Sequence, residues 1–223
     1  VNSGNKNYYS RVFQDSIYKF REGFYKGEDM GEKIKVIMDC DPGIDDGIAL
    51  AYAAAHQDEI ELLAVTTFAG NQTIDKVTKN ALELVDYYGL KVPVARGQER
   101  PLVKEVIHAE EFHGETGLGH CVLPETGTKA ASDNAVFFIR EILDDLPEGQ
   151  QVTFIETAPM TNLALLLRVF PEVKDKIRRI VFMGGAVKGG NVTPAAEFNI
   201  YADPEAAKIV FEAGIPLVMC GLD

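Results

Sequence analysis

Short apolar runs alternate with segments of helical spacing along most of the chain. The run at 34–39 is soon followed by the turn signal Asp41-Pro42-Gly43, and the Ala-rich segment at 44–55 has the spacing of a helix. The same alternation then recurs to the end of the sequence. It predicts strands at 34–39, 60–67, 92–95, 152–155, 180–183 and 216–220, and helices at 44–55, 73–88, 135–145, 162–169 and 204–212.

The composition of the predicted strands indicates how they pack. They are nearly continuous in Val, Ile and Leu with little polar alternation, which is typical of strands buried on both faces. Strands alternating with helices therefore predict an α/β fold, a doubly wound, mostly parallel, Rossmann-like open sheet with helices on both faces. Ligands of such sheets bind beyond the carboxyl ends of the strands.

Two segments lie outside this alternation. Residues 1–32 carry aromatic and aliphatic side chains at spacings of three and four, which predicts an amphipathic helix in an N-terminal extension. The side chains of this stripe are Tyr9, Phe13, Ile17, Phe20 and Phe24. Residues 33–223 form the predicted α/β domain, and within it 96–132 is a long Gly-containing loop of the kind that is often functional.

Charge and cysteine content narrow the class of ligand. A formal net charge of -12 repels phosphate backbones and anionic lipid, so nucleic acid and membrane are not predicted partners. Cys40, Cys121 and Cys220 lie far apart without metal-ligand spacing, which favours a reduced compartment over a disulfide framework or a zinc site. Without a signal sequence or a run of roughly 18 apolar residues, we predict a soluble, cytoplasmic protein.

Four aspartates fall within eight residues at the end of the first predicted strand: Asp39, Asp41, Asp45 and Asp46. Like charges this close repel unless some are protonated or a cation lies among them. Carboxylate oxygens without nearby His or Cys favour a hard ion, and the flexible coordination of calcium leaves room for substrate hydroxyls. Capping of the helix N-terminus is the simpler explanation of Asp45 or Asp46, but it does not account for all four.

A second explanation of the same segment is a phosphatase. Asp39-Cys40-Asp41 after a first strand is also found in haloacid-dehalogenase-type phosphatases, in which the first Asp is a nucleophile and magnesium is bound nearby. Those enzymes usually place Thr or Val two residues after the second Asp, where this chain has Gly43. A magnesium-dependent phosphatase is therefore the less favoured alternative.

Amide and carboxylate side chains also follow other predicted strands. Asn71 ends the stretch after the second strand, and Glu197 and Asn199 precede the helix at 204–212. A single Asn after a strand is often only a turn former. Several such groups at one edge of a sheet would suit the hydroxyls of a sugar, each of which needs a partner of defined geometry.

Five motifs in this order resemble the inosine-uridine-preferring nucleoside hydrolases. They are the segment 39–46, Gly70-Asn71, the segment 113–117, Met183-Gly184-Gly185 and Glu197-Phe198-Asn199. The resemblance runs from about residue 34 to 223. It implies calcium-dependent hydrolysis of the N-glycosidic bond of purine or pyrimidine ribonucleosides to free base and ribose, and we expect a homo-oligomer, either a dimer or a tetramer.

The resemblance also implies a role for each matching residue. Asp41 would be both a calcium ligand and the general base, Asp46 a second ligand, and Thr157 the donor of a backbone carbonyl to the ion. Asp45 would bind the ribose 2′-hydroxyl, and Asp39 would orient its neighbours. The other implied contacts are Asn71, Asn191, Glu197 and Asn199 at the remaining hydroxyls, Met183 at the 5′ end, Phe198 against the sugar and His113 on a loop over the base.

The sequence departs from the family pattern in three places. Members of the family continue past the equivalent of Asp223 with a helical region that supplies a His-Asp pair, so we expect a fragment or a shortened protein. Such a chain would bind calcium more weakly, hydrolyse nucleosides poorly and self-associate, and a calcium- and ribose-binding module with little turnover is the corresponding alternative. Met30 is the expected native start, and Thr157-Ala158-Pro159 replaces the more usual Thr-Gly-Gly.

Overall fold

The computed structural model describes residues 33–223, so the predictions for the extension at 1–32 lie outside the described residues. The six strands are β1 (Ile34–Cys40), β2 (Ile60–Thr67), β3 (Val94–Ala95), β4 (Val152–Glu156), β5 (Ile177–Met183) and β6 (Leu217–Cys220). The helices are α1 (Ile44–Ala55), α2 (Ile74–Tyr87), α3 (Glu110–His113), α4 (Ala135–Asp144), α5 (Thr161–Val169), α6 (Phe198–Ala202) and α7 (Pro204–Phe211). A 3₁₀ helix, Pro171–Lys176, lies between α5 and β5.

All six strands form one parallel sheet in the order β3-β2-β1-β4-β5-β6. The order reverses between β1 and β4, where the connections pass to opposite sides of the sheet, and ligands of doubly wound folds bind at this point. The register places Asp39 of β1 opposite Thr66 of β2 and Glu156 of β4. The predicted α/β, doubly wound, Rossmann-like architecture is confirmed.

The apolar core lies on both faces of the sheet. Ile37 and Met38 are consecutive in β1 and point to opposite faces, as adjacent strand residues do. Met38 packs with Leu50 of α1 and Leu84 of α2, whereas Ile37 belongs to the cluster that includes residues of α4, α5 and α7. The clusters explain why the strands lack polar alternation, since neither face of the sheet meets solvent over most of its area.

Several element boundaries differ from the sequence prediction. β5 begins at Ile177 rather than at residue 180. The prediction started late because Arg178 and Arg179 interrupt the apolar run, but Arg179 pairs with Thr153 of β4 and so belongs to the strand. β3 is reduced to two residues, since Pro93 has no N–H to donate to a ladder. The pattern also missed α3, α6 and the 3₁₀ helix, each of six residues or fewer.

Within residues 33–223, no helix is both long enough and apolar enough to cross a membrane.

Candidate active site

The carboxyl ends of four parallel strands bring polar side chains together at the reversal of the sheet. Asp41 follows β1, Asn71 follows β2, Thr157 follows β4, and Met183 is the last residue of β5. A short helix after β5, α6, adds Asn199. These residues belong to one continuous hydrogen-bond network, and the sequence prediction had named every one of them.

Asp41 is the buried centre of this network. Its Oδ2 accepts a hydrogen bond from the Asn71 backbone N–H at 2.7 Å, and its backbone carbonyl accepts one from Asn71 Nδ2 at 3.0 Å. Its Oδ1 is buried and has no hydrogen-bond partner among the described residues. Burial, followed by the negative charge of Asp46, raises the pKa of Asp41 well above its usual range.

Asp46 lies in the first turn of α1, beside Asp41. Its Oδ2 accepts from the Gly43 backbone N–H at 3.0 Å and from Asn71 Nδ2 at 3.3 Å, and its Oδ1 accepts from the Thr157 hydroxyl at 2.6 Å. These bonds join the ends of β1, β2 and β4. Burial, and secondarily the charge of Asp45, nevertheless raises the pKa of Asp46 to about 7.

Asn199 extends the network to β5. Its Nδ2 donates to the backbone carbonyls of Thr157 at 2.9 Å and Met183 at 3.0 Å. Glu197 caps α6, with Oε1 accepting from the Asn199 N–H and Oε2 from the N–H groups of Gly185 and Ile200. Glu197 therefore fixes the backbone of this region. The Thr157 carbonyl oxygen has two lone pairs, so it can bind a second partner besides Asn199.

Four of the predicted ligand contacts lie toward the rim of the site. The Asp45 side chain is 70% exposed, and its Oδ1 lies 3.8 Å from His113 Nδ1. The same imidazole nitrogen accepts from the Ile44 backbone N–H at 3.3 Å. Asn191 is exposed, and its Oδ1 accepts from the N–H of Phe198, which is partly buried at the start of α6.

Asp39 lies beneath the network, next to residues that the sequence prediction missed. Its Oδ1 accepts from the Thr66 hydroxyl at 2.6 Å and from Asn162 Nδ2 at 2.9 Å, and burial raises its pKa to about 6. Glu156, its register partner on β4, is fully buried, and burial together with the charge of Asp39 raises the pKa of Glu156 well above its usual range. These shifts favour a protonated Glu156 beside an ionised Asp39. Glu156 is the last residue of β4 and Asp39 the last but one of β1, and this position of a carboxylate at a strand end is the signal that would have identified Glu156.

The oxygen donors at the strand ends are of the kind that suits a hard cation. Among residues 33–223 no group of three or more His, Cys, Asp and Glu side chains is arranged to hold a metal ion. The predicted ligand set contains only two carboxylates, Asp41 and Asp46, together with the carbonyl of Thr157. Asp41 Oδ1 is unpartnered, and burial first and neighbouring carboxylates second raise the pKa values of both carboxyls. Calcium bound here would favour the ionised carboxylates.

A cleft of about 380 Å³ lies elsewhere, between α2 and the segment 125–133. Its two cations, Lys79 and Arg96, pair with Glu83 and Asp75. It shares no residue with the strand-end network, which remains the candidate active site.

Gly70→Ala should weaken cation binding, because a Cβ at this position would lie 2.0 Å from Asp41 Oδ2. The carboxylate would have to move away from the Asn71 N–H. We expect calcium affinity to fall at least about tenfold, since a displaced buried hydrogen bond of this kind costs about 1–3 kcal/mol. Isothermal titration with calcium measures the effect, and Gly127→Ala is the control because its Cβ would meet nothing within 4 Å. Equal affinities for the two variants would contradict the tight packing of Asp41 on Gly70.

The fold and the site define a Rossmann-like α/β protein with buried carboxylates at the reversal of a parallel sheet. A family model described as inosine-uridine preferring nucleoside hydrolase matches residues 36–223, and the chain belongs to this family. The resemblance predicted from the five motifs is confirmed.

Curated relatives and solved structures agree with this assignment. The chain is 50% identical over 191 residues to the pyrimidine-specific ribonucleoside hydrolase RihA of Salmonella typhimurium, an alignment that covers 85% of this chain and 60% of the relative. It is 51% identical over 189 residues to RihA of Photobacterium profundum, covering 84% and 60%. The chain therefore spans about 60% of the length of these relatives.

Among solved structures, a purine-preferring ribonucleoside hydrolase from Gardnerella vaginalis superimposes with a TM-score of 0.79 at 36% identity. The match covers 84% of this chain and 60% of that structure. An inosine-uridine preferring nucleoside hydrolase from Bacillus anthracis gives a TM-score of 0.72 at 26% identity, with coverage of 85% and 65%.

Proposed function

We propose that the protein hydrolyses the N-glycosidic bond of ribonucleosides to free base and ribose in a calcium-dependent reaction. The observation that carries the proposal is the buried Asp41, whose unpartnered Oδ1 lies within a network of amides and hydroxyls at the reversal of the sheet. Membership of the nucleoside hydrolase family supports the same reaction class.

The residues of this chain suit the chemistry of that cleavage. Loss of the base builds positive charge on the sugar ring, so the reaction needs a gripped sugar, a nearby anion and an activated water. Asp41 is the general base, because it is an acceptor held rigidly by Asn71 and has one oxygen free to take a proton from water. Asp45, Asn71, Asn191, Glu197 and Asn199 are proposed to contact the ribose hydroxyls, with Phe198 against the ring, Met183 at its 5′ end and His113 over the base.

Asp41, Asp46 and the Thr157 carbonyl are the residues proposed to hold the calcium ion. When bound, the ion supplies positive charge that favours ionised carboxylates and lowers the pKa of a neighbouring water. The Thr157 hydroxyl keeps Asp46 Oδ1 in place at 2.6 Å, while Asn199 fixes the Thr157 carbonyl at 2.9 Å. Hydrogen bonds within the chain thus orient two of the three proposed ligands, Asp46 and the Thr157 carbonyl.

Pyrimidine ribonucleosides are the proposed substrates. The relatives with about 50% identity are named pyrimidine-specific, whereas the purine-preferring structure from Gardnerella vaginalis is 36% identical. The sequence by itself did not rank the two base classes. We therefore expect uridine and cytidine to be better substrates than inosine.

A reducing-sugar assay on uridine, cytidine and inosine tests the proposal, with phosphate release from a nucleotide measured in parallel. We expect calcium-dependent release of ribose, fastest from the pyrimidine nucleosides, and no release of phosphate. Calcium-dependent ribose binding without sugar release would instead support a binding module. Magnesium-dependent phosphate release would overturn the assignment in favour of the phosphatase.

Asp45→Ala should act mainly on sugar recognition, because Asp45 is exposed at the rim and does not contact Asp41 in the hydrogen-bond network. A missing ribose hydroxyl normally leaves its protein partner unsatisfied, which rejects the deoxy substrate. We expect the preference for uridine over 2′-deoxyuridine to narrow at least about tenfold. Comparing kcat/KM for the two nucleosides measures this, and an unchanged ratio would remove Asp45 from the 2′-hydroxyl.

A further inference from the structure

The loop at 113–119 is a compact turn that carries His113. Its backbone is closed by hydrogen bonds from the Gly117 N–H to the Gly114 carbonyl and from the Gly119 N–H to the His113 carbonyl, at 3.1 and 2.7 Å. These three glycines all have positive φ values. The Glu115 and Thr116 carbonyls accept no backbone hydrogen bond within the turn, and the Gly114 carbonyl accepts only the one from Gly117.

Three donors along α2 bind those carbonyls. Gln72, just before the helix, donates through Nε2 to the carbonyls of Gly114 and Glu115, each at 3.1 Å. Lys76 Nζ donates to the Glu115 carbonyl at 2.6 Å, and Asn80 Nδ2 donates to the Thr116 carbonyl at 2.8 Å. Lys76 and Asn80 lie four residues apart and therefore share one face of α2, and Gln72 lies just before the first residue of that helix.

Burial shows that two of these donors, Gln72 and Asn80, are committed to the loop. Gln72 is fully buried and Asn80 is 5% exposed, and a buried amide without partners would cost free energy. The Asn80 amide also donates to the Pro42 carbonyl at 3.1 Å, within the segment that carries the aspartates. The His113 loop and the aspartate segment are thus fastened to the same helix.

The attachment fixes where His113 lies. Its imidazole covers Gly43, where a Cβ would lie 2.4 Å from Nδ1, and it accepts the Ile44 N–H at the start of α1. The loop therefore lies closed against the helix that supplies Asp45 and Asp46. Movement of the loop away from α2 would break the four carbonyl contacts together.

We propose that Gln72, Lys76 and Asn80 are positioning residues that hold the His113 loop closed beside the proposed nucleoside site. The expected effect on substrate binding rests on the proposed function, whereas the expected effect on the loop does not. The three side chains bind the backbone of the loop and form no hydrogen bond to the proposed metal ligands or sugar contacts. Asn80 alone also bonds the aspartate segment, at the Pro42 carbonyl.

Hydrogen exchange of the peptide spanning 110–121 tests the clamp in the full chain. Gln72→Met and Asn80→Leu keep the side-chain volume but remove the donors, and Gln57→Met is the matched control because Gln57 donates to the Ala54 carbonyl on an exposed helix end. We expect exchange in 110–121 to accelerate at least about tenfold in the first two variants and not in the control. Exchange in β1 and β4 should stay unchanged, which separates loop opening from global unfolding.

Steady-state kinetics with uridine completes the test. We expect Gln72→Met to raise KM at least about fivefold with a smaller change in kcat and with unchanged calcium affinity, because Gln72 does not contact the aspartate segment. Unchanged exchange in both variants would overturn the clamp, and faster exchange with an unchanged KM would overturn its role in positioning. If the parent chain releases no sugar, the proposed function fails while the exchange result still decides whether the clamp exists.

Discussion

Replacing Asp41 by Asn should lower the rate of ribose release at least about a hundredfold while leaving the fold intact. Asn has the same shape, and its Oδ1 can still accept the Asn71 N–H that Asp41 Oδ2 accepts now. The amide nitrogen would then occupy the position of the unpartnered Asp41 Oδ1. The N–H donors of the introduced amide would face the position where the proposed general base must accept a proton. The proposed calcium site would also lose one of its two carboxylate charges.

The rate of sugar release from uridine at saturating calcium measures this effect. Asp75→Asn is the matched control, because Asp75 is an exposed aspartate on α2 whose partner is Arg96. Calcium titration of the Asp41 variant shows whether the loss comes from the ion or from the base. Turnover within a few-fold of the parent at saturating calcium would remove Asp41 from the role of general base.

The centre of the sheet was predictable because β1 and β4 are buried on both faces. The apolar run at 60–67 has the same first and last residues as β2. The runs also predict burial on both faces of the sheet, and Ile37 and Met38 are buried in the clusters on opposite faces. The pattern failed where charged residues occupy strand positions, as at the start of β5. It also failed for α6, which is short and begins at a cap supplied by Glu197 rather than at an apolar repeat.

The residues of the candidate site were named from the family resemblance, and the structure adds how they contact one another. Asn71 donates to both Asp41 and Asp46, a bridge that no local pattern reveals because the partners are 30 and 25 residues apart. The sequence prediction missed Gln72 and Asn80 for the same reason, and it missed Glu156 although a carboxylate at a strand end was a usable signal. Their chemistry depends on buried tertiary contacts, whereas their sequence neighbours make them look like an ordinary strand end and helix face.

Some of the sequence predictions stay predictions. Three of them concern bound ligands: the identity of the ion, the individual roles of the site residues, and the preference for purine or pyrimidine bases. A dimer or tetramer and a cytoplasmic location depend on other molecules and on the cell. The helix predicted at 1–32 lies outside the described residues.

Calcium-depleted protein should lose stability as the pH rises from about 4 to about 7. In the unfolded chain Asp46 titrates near 4, whereas in the folded chain burial and the charge of Asp45 raise its pKa to about 7. A raised pKa means that the fold favours the protonated carboxyl, so its contribution is fully present below the unfolded value and is lost as the pH rises through the folded value. The difference between the two pKa values corresponds to about 4 kcal/mol, of which about 2 kcal/mol is lost between pH 5 and pH 7.

Calcium should reverse this trend, because the ion binds ionised carboxylates and its affinity therefore rises over the same pH range. Urea unfolding at pH 5 and pH 7, with calcium-depleted and calcium-saturated protein, measures the two effects in the same units. Asp46→Asn cannot ionise at this position, so we expect it to reduce the loss of stability in the depleted protein and to weaken the gain from calcium. Depleted protein that is equally stable at both pH values would show that the fold does not penalise ionisation of Asp46. A gain from calcium that is the same at pH 5 and pH 7 would show that the ion binds without displacing protons from this pair of carboxyls.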